Sequence, residues 1–285
     1  MPTDLNDVLD GPSVLSAAEG YKAMEDDRDW VDDYDDSEEG EDGDDFVDAF
    51  LEEEMNLAAE PADAFANDPY NVRMIKEISE RISIEVMHPL RDGKPLLVLD
   101  VDQTIVDARA LKRGELLPQQ CARPGLVEFL KQVYAYYDIC VWSQRHWNRL
   151  VTKLFELEVL EASADDWAIS FALDKHAMFQ ARATEDGRQT KHLVKALQII
   201  WNHFPQYGPH NTIHIDDLRR NFAMNPRQGL HITPFKNAGT PEAAEDRELE
   251  RVGQYLVHIA QTCDDFRKLS HKHWRRARRE ARNQT

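Results

Sequence analysis

The amino-acid sequence predicts an α/β fold in which helices flank an open, mostly parallel sheet. Short apolar runs that are typical of buried strands alternate with segments of helical periodicity, as in βαβ units. The polar residues Asp100, Ser143 and Asp216 each follow or end one of these apolar runs. The acidic charge is concentrated near the N-terminus, which separates an acidic segment from the part of the chain that is predicted to fold.

The predicted elements follow one another from residue 71 to the C-terminus. Apolar residues at helical spacing predict a helix over 71–82, and the continuous apolar run 95–100 predicts a strand that is buried on both faces. The later predicted elements are a helix from 124, a strand over 138–142, a helix over 150–157, a strand over 168–173, a helix over 191–204, a strand over 212–215, a weaker strand over 230–233, and helices from 242 onward, the last of them on Phe266, Leu269 and Trp274.

Residues 1–70 form the predicted acidic segment, and residues 71–285 form the predicted folded domain, with a core over about 90–260. The first 70 residues contain 25 Asp or Glu against two basic residues, whereas the remainder carries 28 acidic and 32 basic residues. The stretch 26–48 has too many like charges and too few apolar side chains to offset the entropy lost on folding. We therefore expect residues 1–70 to be a disordered tail.

Composition excludes several classes of protein. The longest apolar run, around 96–99, is far too short to cross a bilayer, and the N-terminus is acidic where a targeting peptide would be basic. Cys121, Cys140 and Cys263 are odd in number and widely spaced, which disfavours a disulfide framework and fits a reducing compartment. His210 and His214 flank a predicted strand without a third ligand nearby, and HExxH is absent, which disfavours a zinc site.

Asp100, Asp102 and Thr104 form a DxDxT motif directly after the first predicted strand. Two carboxylates in such a loop can meet at one hard cation, and Mg²⁺ accepts a few protein oxygens together with waters and a substrate phosphate. The simpler alternative is that an Asp caps the following helix. Ser143 and Asp216 favour a site, because the carboxyl ends of parallel strands converge on one crevice.

Together with three later motifs, this loop resembles the haloacid-dehalogenase-type phosphatases. The later motifs are Ser143 after the second strand, a lysine at the start of a helix, and the acidic pair Asp216-Asp217. Lys195 matches the lysine best, and Lys191, one predicted helical turn earlier, is the competing candidate. The order of the motifs along the chain makes the set specific. The resemblance implies a haloacid-dehalogenase-like fold.

The resemblance also implies a role for each motif residue. Asp100 would be the nucleophile that forms an aspartyl-phosphate, and Asp102 would protonate the leaving oxygen and then deprotonate the attacking water. Ser143 would hold a phosphoryl oxygen, and Lys195 would offset negative charge. The implied Mg²⁺ ligands are the Asp100 carboxylate, the Asp102 backbone carbonyl and Asp216. The residues implied to support them are Thr104, Asp217 and Asn221.

Within that superfamily the chain is similar to the FCP/SCP-type protein phosphatases, most closely to the subfamily that carries an N-terminal ubiquitin-like domain. The matching stretches include 96–104, 137–143, 212–229 and 266–274. This similarity implies phosphoprotein substrates on the proteasome regulatory particle or on the RNA polymerase II C-terminal repeats, with no direct binding of nucleic acid or membrane. It implies a nuclear location, with the cytoplasm as a second compartment. We expect the ubiquitin-like domain to be missing from this chain.

Other features bear on the substrate and leave alternatives open. Only about forty residues separate Asp102 from Ser143, too few for the large cap domain of small-molecule phosphatases, which favours a phosphate presented on a polypeptide. Gln103 and the stretch 144–146 depart from the family pattern, and Arg145 is placed to bind a second negative group on the substrate. The alternatives are a catalytically weak scaffold that binds phosphoproteins and a phosphatase of small metabolites.

Overall fold

The computed structural model describes residues 65–160, 166–185, 188–271 and 274. Residues 1–64 of the predicted acidic segment lie outside these ranges, so their disorder stays a prediction. Residues 65–70 lie within them. The predicted division between residues 70 and 71 also stays a prediction. A helix occupies Pro69–Arg81.

A five-stranded parallel sheet forms the centre of the described part of the chain. The described part of the chain contains seven strands, which in chain order are β1 (Leu96–Leu99), β2 (Asp138–Trp142), β3 (Ile169–Leu173), β4 (Phe179–Glu185), β5 (Arg188–Val194), β6 (Thr212–Asp216) and β7 (Gly229–His231). Five of them form this sheet. The order in the sheet is β3-β2-β1-β6-β7, and every neighbouring pair is parallel. All residues of β1, β2, β3 and β6 are buried, as strands between two helical layers should be. The α/β fold predicted from the sequence is confirmed.

Helices connect the strands and cover the sheet. They are α1 (Pro69–Arg81), α2 (Ala108–Arg113), α3 (Pro118–Cys121), α4 (Leu126–Tyr134), α5 (Trp147–Glu156), α6 (Gln198–His203), α7 (Pro241–Ala244) and α8 (Glu248–Thr262). Gly125, at φ +80°, precedes α4, whose buried stripe contains Phe129, Leu130 and Val133. No helix in the described ranges is long and apolar enough to cross a membrane.

The predicted helix over 191–204 is wrong. Strands β4 and β5 pair in an antiparallel hairpin outside the main sheet, and α6 begins only at Gln198. Pairing with β4 at seven positions makes 188–194 a strand. The spacing of Leu193 and Leu197 is also compatible with a helix, which is why the sequence pattern was misleading. Lys191 and Lys195 therefore do not share a helical face: Lys191 lies exposed on β5, whereas Lys195 is fully buried in the loop that follows.

Two further boundaries differ from those predicted. The last strand ends at His231, and the helix predicted on Phe266 and Leu269 is a 3-10 turn over Phe266–Lys268. Side chains anchor this C-terminal part: Phe266 is buried, and the indole nitrogen of Trp274 donates to the carbonyl of His231 at 3.1 Å.

His271 predicts a pH dependence of folding stability. Its buried ring lies against Tyr255, whose hydroxyl is 2.9 Å from Nδ1, and burial lowers the pKa of His271 from 6.5 to about 4. The unfolded chain therefore binds a proton between pH 6.5 and 4 that the folded chain does not, so stability should fall as the pH decreases through that window. We expect this group to contribute a loss of up to about 3 kcal/mol, measured by urea unfolding at pH 7 and pH 4.5.

His271→Phe is the matched control for this pH dependence. The variant should be less stable than the wild type at pH 7, because the Tyr255 contact is lost, but its stability should decline less between pH 7 and pH 4.5. Parallel curves for the two proteins would show that His271 does not cause the decline.

Candidate active site

Lys195 joins two carboxylates at the carboxyl edge of the sheet. Asp100 directly follows β1, Asp216 ends β6, and these neighbouring strands bring the two side chains together. The Lys195 ammonium contacts Asp100 Oδ1 and donates to Asp216 Oδ2 at 2.7 Å. Lysine is rarely buried without a partner, and here all three side chains are buried. The structure thus brings together residues that lie up to 116 positions apart in the sequence.

Asp216 accepts hydrogen bonds on both carboxylate oxygens. The backbone N–H of Leu218 donates to Oδ1 at 2.9 Å, and the Asn221 amide donates to Oδ2 at 2.8 Å beside Lys195. His214 Nε2 lies 3.3 Å from the same Oδ2. Burial alone would raise the pKa of Asp216, but the charge of Lys195 and the contact with His214 favour the carboxylate, so its pKa lies well below its usual range.

Asp217 completes a group of three buried carboxylates. Ligand oxygens of Asp100, Asp216 and Asp217 all lie within 4.8 Å of one another. Burial, followed by the charges of Asp100 and Asp216, raises the pKa of Asp217 well above its usual range. Burial and Asp216 likewise raise the pKa of Asp100 to about 7 against the opposing effect of Lys195. One lysine only partly offsets the repulsion among three carboxylates. Their clustered oxygens are a donor set that a hard divalent cation can use.

The metal residues predicted from the sequence meet only in part as side chains. Asp100 and Asp216 do lie together, and Asp217, predicted as a supporting residue, belongs to the same cluster. The Asp102 side chain instead contacts Lys153, Ser143 and Arg145. Its predicted metal role through the backbone carbonyl stays a prediction.

Three side chains from the segment after β2 surround the Asp102 carboxylate. The Lys153 ammonium contacts Oδ1, while the Ser143 hydroxyl lies 3.4 Å and the Arg145 guanidinium 3.8 Å from Oδ2. Ser143 is fixed in turn, because its hydroxyl accepts from the backbone N–H of Arg145 at 3.0 Å and its own N–H donates to Leu173. Asp102 and Ser143, which were predicted separately as site residues, therefore lie close in space.

The loop that carries Asp100 and Asp102 is held from the C-terminal half of the chain. Gln103 has a positive φ of 59°, and its carbonyl accepts from the N–H of Phe235 at 2.6 Å. Thr104 is fully buried, and its carbonyl accepts from Arg123, which also forms a two-point ion pair with Asp246. The Thr104 hydroxyl has no partner within the described part of the chain.

Reasoning from the sequence did not identify three residues of this site. Lys153 contacts Asp102, His214 lies beside Asp216, and the Asn225 side chain accepts from the N–H of Leu197, which fixes the loop after Lys195. Lys153 carried one usable signal, since it lies three residues after Leu150, on the apolar face of its helix. His214 carries no such signal, because an isolated histidine within a buried strand does not indicate a neighbouring carboxylate.

A substitution at Gly229 is expected to disturb the site through the neighbouring Phe222. A Cβ at this position would overlap the ring of Phe222, which follows Asn221 in the 3-10 turn Arg219–Phe222. Gly229→Ala should lower the free energy of unfolding by roughly 1–3 kcal/mol, as overpacking does, and should slow turnover through displacement of Asn221. Thermal unfolding and a phosphatase assay measure the two effects.

The matched control is Phe222→Ala, alone and combined with Gly229→Ala, because alanine lacks the Cγ and Cδ atoms that the added methyl group would overlap. In the Phe222→Ala background, Gly229→Ala should cost less stability than it does in the wild type. An unchanged melting temperature in Gly229→Ala would contradict the overlap.

Comparisons with known proteins define the class to which this site belongs. Residues 95–267 match the family of NLI interacting factor-like phosphatases, and the chain belongs to that family. Its parallel sheet is the haloacid-dehalogenase-like fold that the four motifs predicted. One solved structure, "The Structure of Fcp1, an essential RNA polymerase II CTD phosphatase", aligns with a TM-score of 0.39 and 14% identity over 67% of this chain and 65% of its own.

Curated relatives give a finer comparison. "Ubiquitin-like domain-containing CTD phosphatase 1" of Xenopus tropicalis is 40% identical over 206 residues, which cover 71% of this chain and 62% of that protein. The proteins of the same name from Drosophila melanogaster and Homo sapiens are 42% and 38% identical and cover 67% and 74% of this chain. The chain spans roughly three fifths of the length of these relatives. The predicted similarity to this subfamily is confirmed.

Proposed function

We propose that the chain is a Mg²⁺-dependent protein serine/threonine phosphatase that works through an aspartyl-phosphate on Asp100. The observation that carries this proposal is the buried Lys195, which contacts both Asp100 and Asp216 beside Asp217. The charge of Lys195 favours the ionised forms of the buried Asp100 and Asp216 carboxylates. The oxygens of Asp100, Asp216 and Asp217 lie close enough together to bind a further cation. Membership of a phosphatase family supports the same chemistry.

The reaction that we propose has two steps. In the first, an Asp100 oxygen bonds to the phosphorus atom, the bond from phosphorus to the serine or threonine oxygen breaks, and Asp102 gives that oxygen a proton. In the second, Asp102 takes a proton from a water whose oxygen attacks the same phosphorus, which releases phosphate and restores Asp100. Ser143 and Lys195 would bind phosphoryl oxygens and offset the charge that develops there.

The residues present fit a Mg²⁺ ion. Asp100, the Asp102 carbonyl and Asp216 are the ligands implied by resemblance, and the structure supports Asp217 as a further one, because the oxygens of Asp216 already accept from Leu218, Lys195 and Asn221. The bound ion would neutralise negative charge on the phosphoryl group.

The form of the site favours a polypeptide substrate. The segment between Asp102 and Ser143 contains the short helices α2, α3 and α4, of which none has more than nine residues, rather than a large cap domain. The relatives are named CTD phosphatases, and from the resemblance we propose the C-terminal repeats of RNA polymerase II as the substrate. We include the proteasome regulatory particle as the alternative substrate and the nucleus, with the cytoplasm second, as the location.

Release of phosphate from a substrate panel tests this proposal. The panel contains phosphoserine and phosphothreonine peptides and a sugar phosphate, each assayed with Mg²⁺ and with a chelator. We expect turnover of the peptides only with Mg²⁺ and at least tenfold slower turnover of the sugar phosphate. Peptide binding without turnover would support the alternative of a phosphoprotein-binding scaffold, and preferred hydrolysis of the sugar phosphate would refute a protein phosphatase.

A further inference from the structure

Lys153 occupies a position in α5 where an apolar residue would be expected. It lies three residues after the buried Leu150 and next to the buried Leu154, and only 12% of its side chain is exposed. Burying an ammonium group is unfavourable unless it is paired. The partner of Lys153 is Oδ1 of Asp102, which lies 51 residues earlier in the chain.

This contact gives the two carboxylate oxygens of Asp102 different partners. With Oδ1 bound to Lys153, the other oxygen, Oδ2, faces the Ser143 hydroxyl at 3.4 Å and the Arg145 guanidinium at 3.8 Å. An aspartate side chain can otherwise turn about its last bond and exchange its two oxygens, because that rotation has a broad, roughly two-fold profile.

We propose that Lys153 is a positioning residue that fixes Asp102 so that Oδ2 delivers the proton to the leaving oxygen. This inference rests on the proposed function and adds a residue to it. Asp102 is only partly buried, with 20% of its side chain exposed, so the packing around it leaves the orientation to its polar contacts. Proton transfer requires the acid within hydrogen-bond reach of the oxygen, and a misplacement of about 1 Å can cost roughly 100-fold in rate.

A positioning role and a phosphate-binding role for Lys153 predict different kinetics. Asp102 also serves as the base of the second step, which both substrates share, so the comparison uses kcat/KM, which reports the steps up to phosphoryl transfer onto Asp100. If Lys153 positions the general acid, its loss lowers kcat/KM only for substrates whose leaving group needs a proton. The alkoxide of phosphoserine needs one, whereas 4-nitrophenolate leaves without it. If Lys153 instead bound the phosphoryl group, its loss would slow both substrates equally, since both present the same phosphate.

The test compares Lys153→Met with the wild type on a phosphoserine peptide and on 4-nitrophenyl phosphate at saturating Mg²⁺. We expect kcat/KM for the peptide to fall roughly 10- to 100-fold and kcat/KM for the aryl phosphate to fall less than about threefold. Lys153→Arg should recover part of the peptide activity. The Mg²⁺ affinity, measured by calorimetry, should stay within about twofold, because the Asp102 side chain is not a proposed metal ligand.

Lys131→Met is the matched control, because it also replaces a lysine that pairs with an aspartate. Lys131 lies on α4, and its ammonium is 3.1 Å from the carboxylate of Asp166. The variant should leave both activities unchanged. Equal losses on the two substrates, or no loss on the peptide, would overturn the positioning role while leaving the phosphatase assignment intact. A wild type inactive on both substrates would refute the proposed function and this inference with it.

Discussion

Asp100→Asn is expected to abolish phosphopeptide hydrolysis, with a fall in kcat of at least roughly 10³-fold. Asparagine has almost the same shape as aspartate, but its amide is a poor nucleophile and carries no negative charge for Lys195. The fold should survive, because the substitution also relieves repulsion between Asp100 and the neighbouring Asp216. Phosphate release and urea unfolding measure the two effects separately.

Asp92→Asn, at an exposed position of the same part of the chain, is the matched control and should keep full activity. A near-normal rate in Asp100→Asn would show that another residue is the nucleophile.

Lys195→Met should lose both turnover and stability. Removing the ammonium leaves the buried carboxylates of Asp100 and Asp216 facing each other without a cation. Breaking a buried ion pair in this way costs roughly 3–5 kcal/mol, so we expect a decrease of that size in the free energy of unfolding in a chelator. Mg²⁺ should restore part of the stability, because an ion that binds only the folded chain shifts the equilibrium towards it.

Lys191→Met decides between the two lysines that the sequence offered. Lys191 lies exposed on β5, so its loss should affect neither stability nor turnover. An inactive Lys191→Met beside an active Lys195→Met would reverse the assignment. Equal stability of Lys195→Met and the wild type would contradict the buried ion pair itself.

The sequence predicted the strands of the sheet and most of the site, because both depend on local patterns. The run before Asp100 is continuously apolar, which is typical of a strand inside a parallel sheet flanked by helices. Polar residues at the ends of such strands must then converge. That rule placed Ser143 and Asp216 near the DxDxT loop without any knowledge of the packing.

The remaining features depend on contacts between distant segments. The residues of β5 fit a helix as well as a strand, and only their pairing with β4 decides between the two. Lys153 looks like an ordinary helix lysine until the packing of α5 places it against Asp102. Which member of the Asp216-Asp217 pair accepts from protein donors depends on Lys195 and Asn221, which adjacency in the sequence does not reveal.

Trapping of the covalent intermediate shows directly whether Asp100 carries the phosphate. The protein is mixed with a phosphoserine peptide and Mg²⁺, quenched with borohydride, which reduces an acyl phosphate to an alcohol, and digested for mass spectrometry. We expect homoserine at position 100 and none without Mg²⁺ or without substrate. Reduction at another aspartate, or steady turnover with an unmodified Asp100, would contradict this role.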